Sequence, residues 1–294
     1  LEWHAIRLCE VGVKEVVLVT GYLREQVEVV LPEISARREI KIRELVNERF
    51  HEGSVLSLAA TLPEIEGSSE PLLLMDADVL YPTQMLERLI RSPHPTALLL
   101  DREYSTQDDD PVLVPVKDGR PFEFRKKWSG EADFVGESIG FFKIGPEDLP
   151  MLIEQTRARS AGSDVRDSYD DVLRAMVLAN RFGFEDVTGL PWTEIDFPDD
   201  LARARVANRD RALPAFRQPR QGLAPPGRVP EPSDERGERQ DRRPGLQRRA
   251  LNAPDRVRAV PNGVDLGRVI GDVALQHQRH PADGADVGGG VAVD

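Results

Sequence analysis

Two short acidic constellations in the 294-residue chain have the spacing to hold a hard cation. The first is Asp76-Ala77-Asp78, which directly follows the apolar run Leu72-Leu73-Leu74-Met75. Carboxylates at i and i+2 on an extended segment point the same way, so both can approach one Mg2+. That ion takes a few carboxylate oxygens together with phosphate oxygens and waters. A second reading of the same residues is a turn whose aspartates cap the helix that follows. The other constellation lies within residues 189–201, where Glu194 and Asp196 alternate on a short extended segment beside Trp192. Asp199 and Asp200 are accounted for as N-terminal residues of the next helix, where the helix dipole favours negative charge. Asp196 precedes that helix by several positions and has no such explanation. The five histidines are scattered and suggest neither a catalytic triad nor a zinc site.

The elements that must position these residues alternate between strand and helix. Val16-Val17-Leu18-Val19-Thr20, Ile40–Val46, Leu72–Met75, Thr96–Leu100 and Ile139–Ile144 read as strands. Leu1–Val11 has apolar residues at helical spacing, with Gly12 placed to end the helix. Further helices are expected over residues 23–30, 54–62, 82–91, 146–158 and 168–180, with a hairpin over 112–124 turning at Asp118-Gly119. Such alternation predicts an α/β fold, a mainly parallel Rossmann-like sheet with helices on both faces. In such sheets ligands bind at the carboxyl ends of strands, which is where Asp76 and Asp78 fall.

Composition divides the chain. Residues 209–294 hold fifteen Arg, no Lys and twelve acids, with Phe216 the sole aromatic. The remaining 24 basic and 39 acidic residues lie in 1–208, a net charge of −15 within a total of −12. A body this acidic is unsuited to general nucleic-acid binding, which neutralises phosphates with Lys and Arg, so its anionic ligands need local cations. We read 1–208 as the folded domain and 209–294 as a low-complexity tail. The tail is either disordered or the product of a shifted reading frame, since it shows no sustained periodicity with which to bury a core. No apolar run reaches membrane-spanning length. Cys9 alone excludes an internal disulfide framework, and the opening Leu1-Glu2-Trp3-His4 has no signal-peptide features. Cytoplasm is the default compartment, and oligomeric state is not legible.

Five segments in order carry a family resemblance: residues 16–22 (VVLVTGY), Asn47-x-x-Phe50-x-x-Gly53-Ser54-x-x-Ser57-Leu58, residues 75–81 (MDADVLY), Gly136-Glu137-Ser138-Ile139-Gly140, and Trp192-x-Glu194-Ile195-Asp196. Together they resemble the nucleotidyltransferases that activate phosphorylated sugars and alcohols, most of all the branch making CDP-linked phosphoalcohols. Phosphocholine and inositol-phosphate cytidylyltransferases belong to that branch. The resemblance spans nearly all of 1–208 and none of the tail.

The resemblance implies Mg2+ held by Asp78 and Asp196, with Asp76 assisting on the nucleotide side. It also implies transfer of a nucleotidyl group, CMP foremost, from CTP (or UTP) to a phosphorylated small acceptor. Gly53 and Ser54 fall where relatives contact the base, although Ser54 serves equally as a helix cap. Lys126, in Arg125-Lys126-Lys127, falls near a lysine that contacts the acceptor phosphate in relatives, and a solvated basic turn is the plain alternative. Glu137, Ser138 and Trp192 fall on the acceptor side. Tyr169, followed by Asp170-Asp171, has the chemistry to receive a cationic head group, or simply starts a surface helix.

The family's fold opens with a strand and a Gly-x-Gly-x-Arg loop that cradles the triphosphate, and no segment of that form occurs here. The chain is therefore expected to begin after that loop, to lack the sheet's central strand, and to be inactive as it stands. Two other functions share parts of the pattern. A nucleotide-sugar glycosyltransferase also pairs such a sheet with an Asp-x-Asp site, and an inactive nucleotide-binding domain would retain the fold without the loop.

Overall fold

The structure, a computed structural model, describes residues 1–103, 111–196, 200, 201, 204 and 268–272. The chain opens with α1 (Glu2–Glu10), β1 (Glu15–Thr20), α2 (Arg24–Glu28), α3 (Leu31–Arg38) and β2 (Lys41–Val46). Helices α4 (Val55–Ala60) and α5 (Leu62–Ile65) precede β3 (Leu72–Asp76), the two-residue β4 (Val79–Leu80) and α6 (Thr83–Arg91). Then come β5 (Ala97–Asp101), β6 (Leu113–Lys117), β7 (Arg120–Pro121) and β8 (Phe134–Ile144). The last elements are α7 (Leu149–Ser160), α8 (Tyr169–Leu178), β9 (Gly183–Asp186), β10 (Thr193–Glu194) and β11 (Arg268–Asp272).

The main sheet runs β2-β1-β11-β3-β8-β5-β9, with the β6–β7 hairpin attached to β8. Pairs β2/β1, β1/β11, β11/β3 and β5/β9 are parallel, and β8 runs against both β3 and β5. Alternate residues of β1 and β3 feed opposite cores, as the two-residue period requires. Val17, Val19, Leu72 and Leu74 pack towards α4, α7 and α8, meeting Leu56, Leu152, Leu173 and Met176. Val16, Leu73 and Met75 face the other way, onto Ala5 and Leu8 of α1, Ile34 of α3 and Met85, Leu86 and Leu89 of α6. Each such leucine contributes about 2 kcal/mol of transfer free energy on burial. No described helix is long and apolar enough to cross a membrane.

The expected α/β architecture, mainly parallel and covered on both faces, is what the chain adopts. The 112–124 hairpin turns at Asp118 (φ 51°) and Gly119 (φ 72°), the left-handed pair that matches the twist of a tight hairpin. Three elements go beyond the sequence reading. Helix α3 follows α2 as a separate element, because Pro32 sits in its first turn and starts a new helix. Strand β9 is short and only partly buried, so it carries little apolar signal. Strand β11 comes from the 209–294 segment and takes the central place expected to stand open. Val269, Ile270 and Gly271 pair with Val17, Leu18 and neighbouring residues of β1 on one side and with β3 on the other.

Candidate active site

The two acidic constellations meet at the carboxyl end of β3. The chain leaves β3 at Asp76, turns through Ala77-Asp78 and forms β4, which pairs antiparallel with β10. Glu194 lies opposite Val79 and Thr193 opposite Leu80. The Ile195 amide then donates to the Asp78 carbonyl at 3.0 Å. A strip of residues more than a hundred positions downstream is thereby stitched to the Asp78 turn, and Asp196 arrives beside Asp78. Asp196 is itself held by its amide donating to Asp200 Oδ2 at 3.1 Å. Asp199 lies outside the described residues.

Electrostatics register this crowding. Burial, and then the neighbouring Asp78 carboxylate, push the Asp76 carboxyl well above the ordinary range, with Asp170 and Glu194 adding to the effect. Burial also raises Asp78, and the Asp196 charge raises it further. Asp170, buried and only partly relieved by its hydrogen bond from Ser168 and by the Lys126 charge, is pushed up to about 6. Negative groups converge on one place and each makes it harder for the next to ionise.

Asp76 is enclosed rather than displayed. The Tyr169 hydroxyl lies 2.7 Å from each of its carboxylate oxygens. Opposite, Gly140 holds φ at +73°, and a Cβ there would lie 2.1 Å from Asp76 Oδ2. Gly140 sits where the pairing of β5 with β8 shifts register between Leu98/Phe142 and Leu100/Ser138. Bulges of this kind bend a strand and re-aim its side chains. Ser138 Oγ accepts the Gly140 amide at 3.2 Å and so braces the bend. The Gly136–Gly140 motif thus has a local physical purpose: it makes room for the Asp76 carboxylate.

Tyr169 begins α8, whose first turn is secured from two sides. Ser168 caps it, accepting from the Asp170 amide, while the Ser168 amide donates to Asp171 Oδ2. Ser54 Oγ accepts the Tyr169 amide at 3.1 Å and lies 2.9 Å from Ser168 Oγ. Ser54 therefore caps α8 rather than the start of its own helix. A Cβ on Gly53 would stand 2.2 Å from the Asp167 carbonyl, so the glycine is required by the packing of this loop. Asn47 secures the same corner, donating to Ser57 Oγ at 3.1 Å and accepting the Arg49 amide at 2.9 Å.

The remaining residues singled out from sequence are placed as follows. Lys126, at the exit of the hairpin, lies close enough to Asp170 to lower its pKa, which puts one positive charge on the rim of the acidic cluster. Glu137 pairs across the sheet with Asp101 and with Leu113, and is buried. Trp192 donates its indole N–H to Asp101 Oδ2 at 2.7 Å, tying the lead into β10 to the end of β5. Asp76, Asp78, Asp196, Tyr169 and Lys126 are drawn into one neighbourhood, with Gly53 and Ser54 behind Tyr169 and Glu137 and Ser138 along β8. Sequence reasoning missed the direct bond from Tyr169 to Asp76. It also missed His4 of α1, which meets the Ala77 carbonyl in that turn, and Trp3, which donates to the Tyr81 carbonyl just after β4.

Asp78 and Asp196 fit a hard divalent cation. Both are carboxylates, and they lie close enough for one charge to raise the other's pKa, a penalty that a cation between them would reverse. Among the described residues no group of three or more His, Cys, Asp or Glu is arranged to hold a metal by itself. The donor set suits Mg2+, which keeps open positions for phosphate oxygens and water, better than a closed all-protein cage.

No protein-family model matches the chain, and no characterised protein matches it by sequence. Solved structures do match in shape. A UDP-glucose pyrophosphorylase bound to UDP-glucose superposes with a TM-score of 0.55 at 14% identity, covering 71% of this chain and 86% of that one. A protein of Bacillus anthracis assigned as a glucose-1-phosphate thymidylyltransferase, in complex with sucrose, superposes with a TM-score of 0.55 at 12% identity, over 71% and 82% of the two chains. At such identities the likeness is one of fold: the chain has the α/β fold seen in these sugar-phosphate nucleotidyltransferases.

Proposed function

We propose that the domain is a Mg2+-dependent nucleotidyltransferase, moving a nucleotidyl group from a nucleoside triphosphate to a phosphorylated small alcohol or sugar. The observation that carries this reading is the β4–β10 pairing, which sets Asp196 beside Asp78 at the carboxyl end of β3. Nucleotidyl transfer needs such a pair because both substrates bring negative phosphates to one point inside an acidic protein. The structures of like fold point the same way, since both are named for reactions on sugar phosphates.

In the proposed reaction an oxygen of the acceptor's phosphate monoester attacks the α-phosphorus in line. The bond from that phosphorus to its bridging oxygen breaks, and pyrophosphate leaves with the electron pair. No protein nucleophile takes part; the chain positions and neutralises. Asp78 and Asp196 would hold the cation, which would supply charge neutralisation at the reacting phosphates. Tyr169 and Gly140 keep Asp76 in place beside them. Lys126, on the rim, offers a positive charge to the acceptor phosphate. The motifs favour CTP, whereas the like-fold structures are named for uridylyl and thymidylyl products. A panel of CTP, UTP and dTTP separates these.

No Gly-x-Gly-x-Arg segment occurs among residues 1–294, so the nucleotide affinity of this stretch is expected to be weak. Calorimetric titration of CTP and UTP with Mg2+ tests this. Weak binding that disappears in Asp78→Ala is the expected result. Binding at about micromolar Kd or tighter, some 8 kcal/mol, would show the loop to be unnecessary. Hydrolysis of a sugar nucleotide without any role for pyrophosphate would favour the glycosyltransferase reading instead.

A further inference from the structure

The Asp76-Ala77-Asp78 turn carries the chemistry, and a turn cannot hold its own side chains rigidly. What fixes its backbone comes from elsewhere in the chain. From β10, the Ile195 amide fixes the carbonyl of Asp78. The preceding peptide plane, whose carbonyl belongs to Ala77, is fixed from α1: His4 Nε2 lies 3.0 Å from that oxygen. A carbonyl accepts, so Nε2 carries the proton, and Nδ1 is left as the acceptor of the Tyr81 hydroxyl at 3.2 Å. Both ring nitrogens are thus used and the tautomer is determined. Trp3 adds a third restraint, its indole N–H donating to the Tyr81 carbonyl at 2.9 Å. The imidazole is 8% exposed and wedged among the rings of Tyr81 and Phe141, with centroids 5.2 and 6.3 Å away.

We propose that His4 is a positioning residue of the candidate metal site, holding the peptide plane from which Asp78 extends so that its carboxylate meets Asp196. The inference rests on the reading of Asp78 and Asp196 as cation ligands. It adds that the first helix is a working part of the site, although no residue of α1 touches a carboxylate there. Burial holds the His4 pKa at about 3, so the neutral tautomer persists across the physiological range.

The test compares two substitutions that differ in which ring nitrogen they mimic. Gln at position 4 places an amide N–H near the position of Nε2 and can still donate to Ala77; Asn reaches only the position of Nδ1 and cannot. Mn2+ binding, followed by electron paramagnetic resonance without substrate or turnover, is read beside the thermal midpoint. His4→Asn is expected to weaken Mn2+ binding about tenfold, as loss of an outer-shell partner does, and His4→Gln to restore most of it. Should His4→Asn fail to fold, Tyr81→Phe takes its place, since loss of the hydroxyl frees the tautomer and should also weaken Mn2+ binding. A purely structural histidine would lower the thermal midpoint in both variants and leave Mn2+ affinity unchanged, and that result overturns the proposal. If wild-type protein binds no Mn2+ in a manner that Asp78→Ala abolishes, the reading of the site itself fails, and this inference fails with it.

Discussion

Asp78 and Asp196 are the proposed cation ligands, and they differ from their neighbours in what their loss should do. Replacing either with Ala in active protein is expected to lower turnover by orders of magnitude while leaving the thermal midpoint near wild type or above it. Each substitution removes half of the donor set but also relieves the mutual repulsion registered at Asp78. Near-normal kcat at saturating Mg2+ would remove that residue from the site. Asp170 offers a test by pH. Its folded-state carboxyl titrates at about 6 against an ordinary 3.8, chiefly because it is buried. A raised carboxylate pKa means that the native state binds the proton more tightly than the unfolded chain. Stability is therefore lost as pH climbs from about 4 to 6, by up to about 3 kcal/mol at about 1.4 kcal/mol per unit, and the penalty stays in full above 6. Asp170→Asn, whose oxygen can still accept from Ser168, should stabilise the protein above pH 6 when divalent metal is withheld. The gain should vanish as pH falls towards 4. Urea denaturation across that range measures it, and a gain independent of pH would assign the effect to something other than charge burial.

At the scale of elements, the site depends on three strands and one helix end meeting with little freedom. The bulge at Gly140 is the most exposed to test. Gly140→Ala combines a left-handed φ with a Cβ 2.1 Å from Asp76 Oδ2, and should cost about 3 kcal/mol in urea unfolding. In an Asp76→Ala background the Oδ2 and Cγ clashes are gone and only a 3.0 Å approach to Cβ is left, so the cost should fall towards the about 1–2 kcal/mol of the backbone conformation. Equal costs in both backgrounds would mean that the bulge does not serve Asp76. Much of this was legible in the sequence. Asp76 and Asp78 follow an apolar strand, Glu194 and Asp196 alternate as a strand does, and Asp118-Gly119 announces its hairpin. Other parts were not. The bond from Tyr169 to Asp76 joins residues 93 apart in sequence and depends on Ser54 capping a helix other than its own. Local pattern does not encode such a partner. His4 looked like one of several scattered histidines, because what distinguishes it is the carbonyl it faces. The sequence reading ends its helix at residue 30 and gives none over 31–38, because Pro32 reads as a break rather than as the first turn of a new helix.

For the whole molecule, the sheet's continuity rests on five residues from the far end of the chain. Strand β11 supplies the pairing between β1 and β3, the strand that ends in Asp76. Its arginine-rich surroundings hid it, since Arg-Val-Ile-Gly-Asp is too short to stand out from a segment with no other periodicity. Ile270 stands opposite Val17 on one side and Leu74 on the other. Ile270→Pro removes a ladder hydrogen bond from a central strand and should cost about 3 kcal/mol or more. An unchanged urea midpoint would show that the strand contributes nothing to stability. The net charge of −15 over residues 1–208 bears on the proposed function at this scale as well, because on that reading anionic substrates would meet an anionic domain and need a cation at Asp78 and Asp196 to offset it. The central claim is nucleotidyl transfer, and pyrophosphate release tests it most directly. The protein is incubated with CTP, UTP or dTTP and a panel of phosphorylated alcohols and sugars. Pyrophosphate should appear only when nucleotide, acceptor and Mg2+ are all present, in amounts equal to the nucleoside-diphosphate-linked product, and not in Asp78→Ala or Asp196→Ala. Release that is indifferent to the acceptor or to those two aspartates would contradict it.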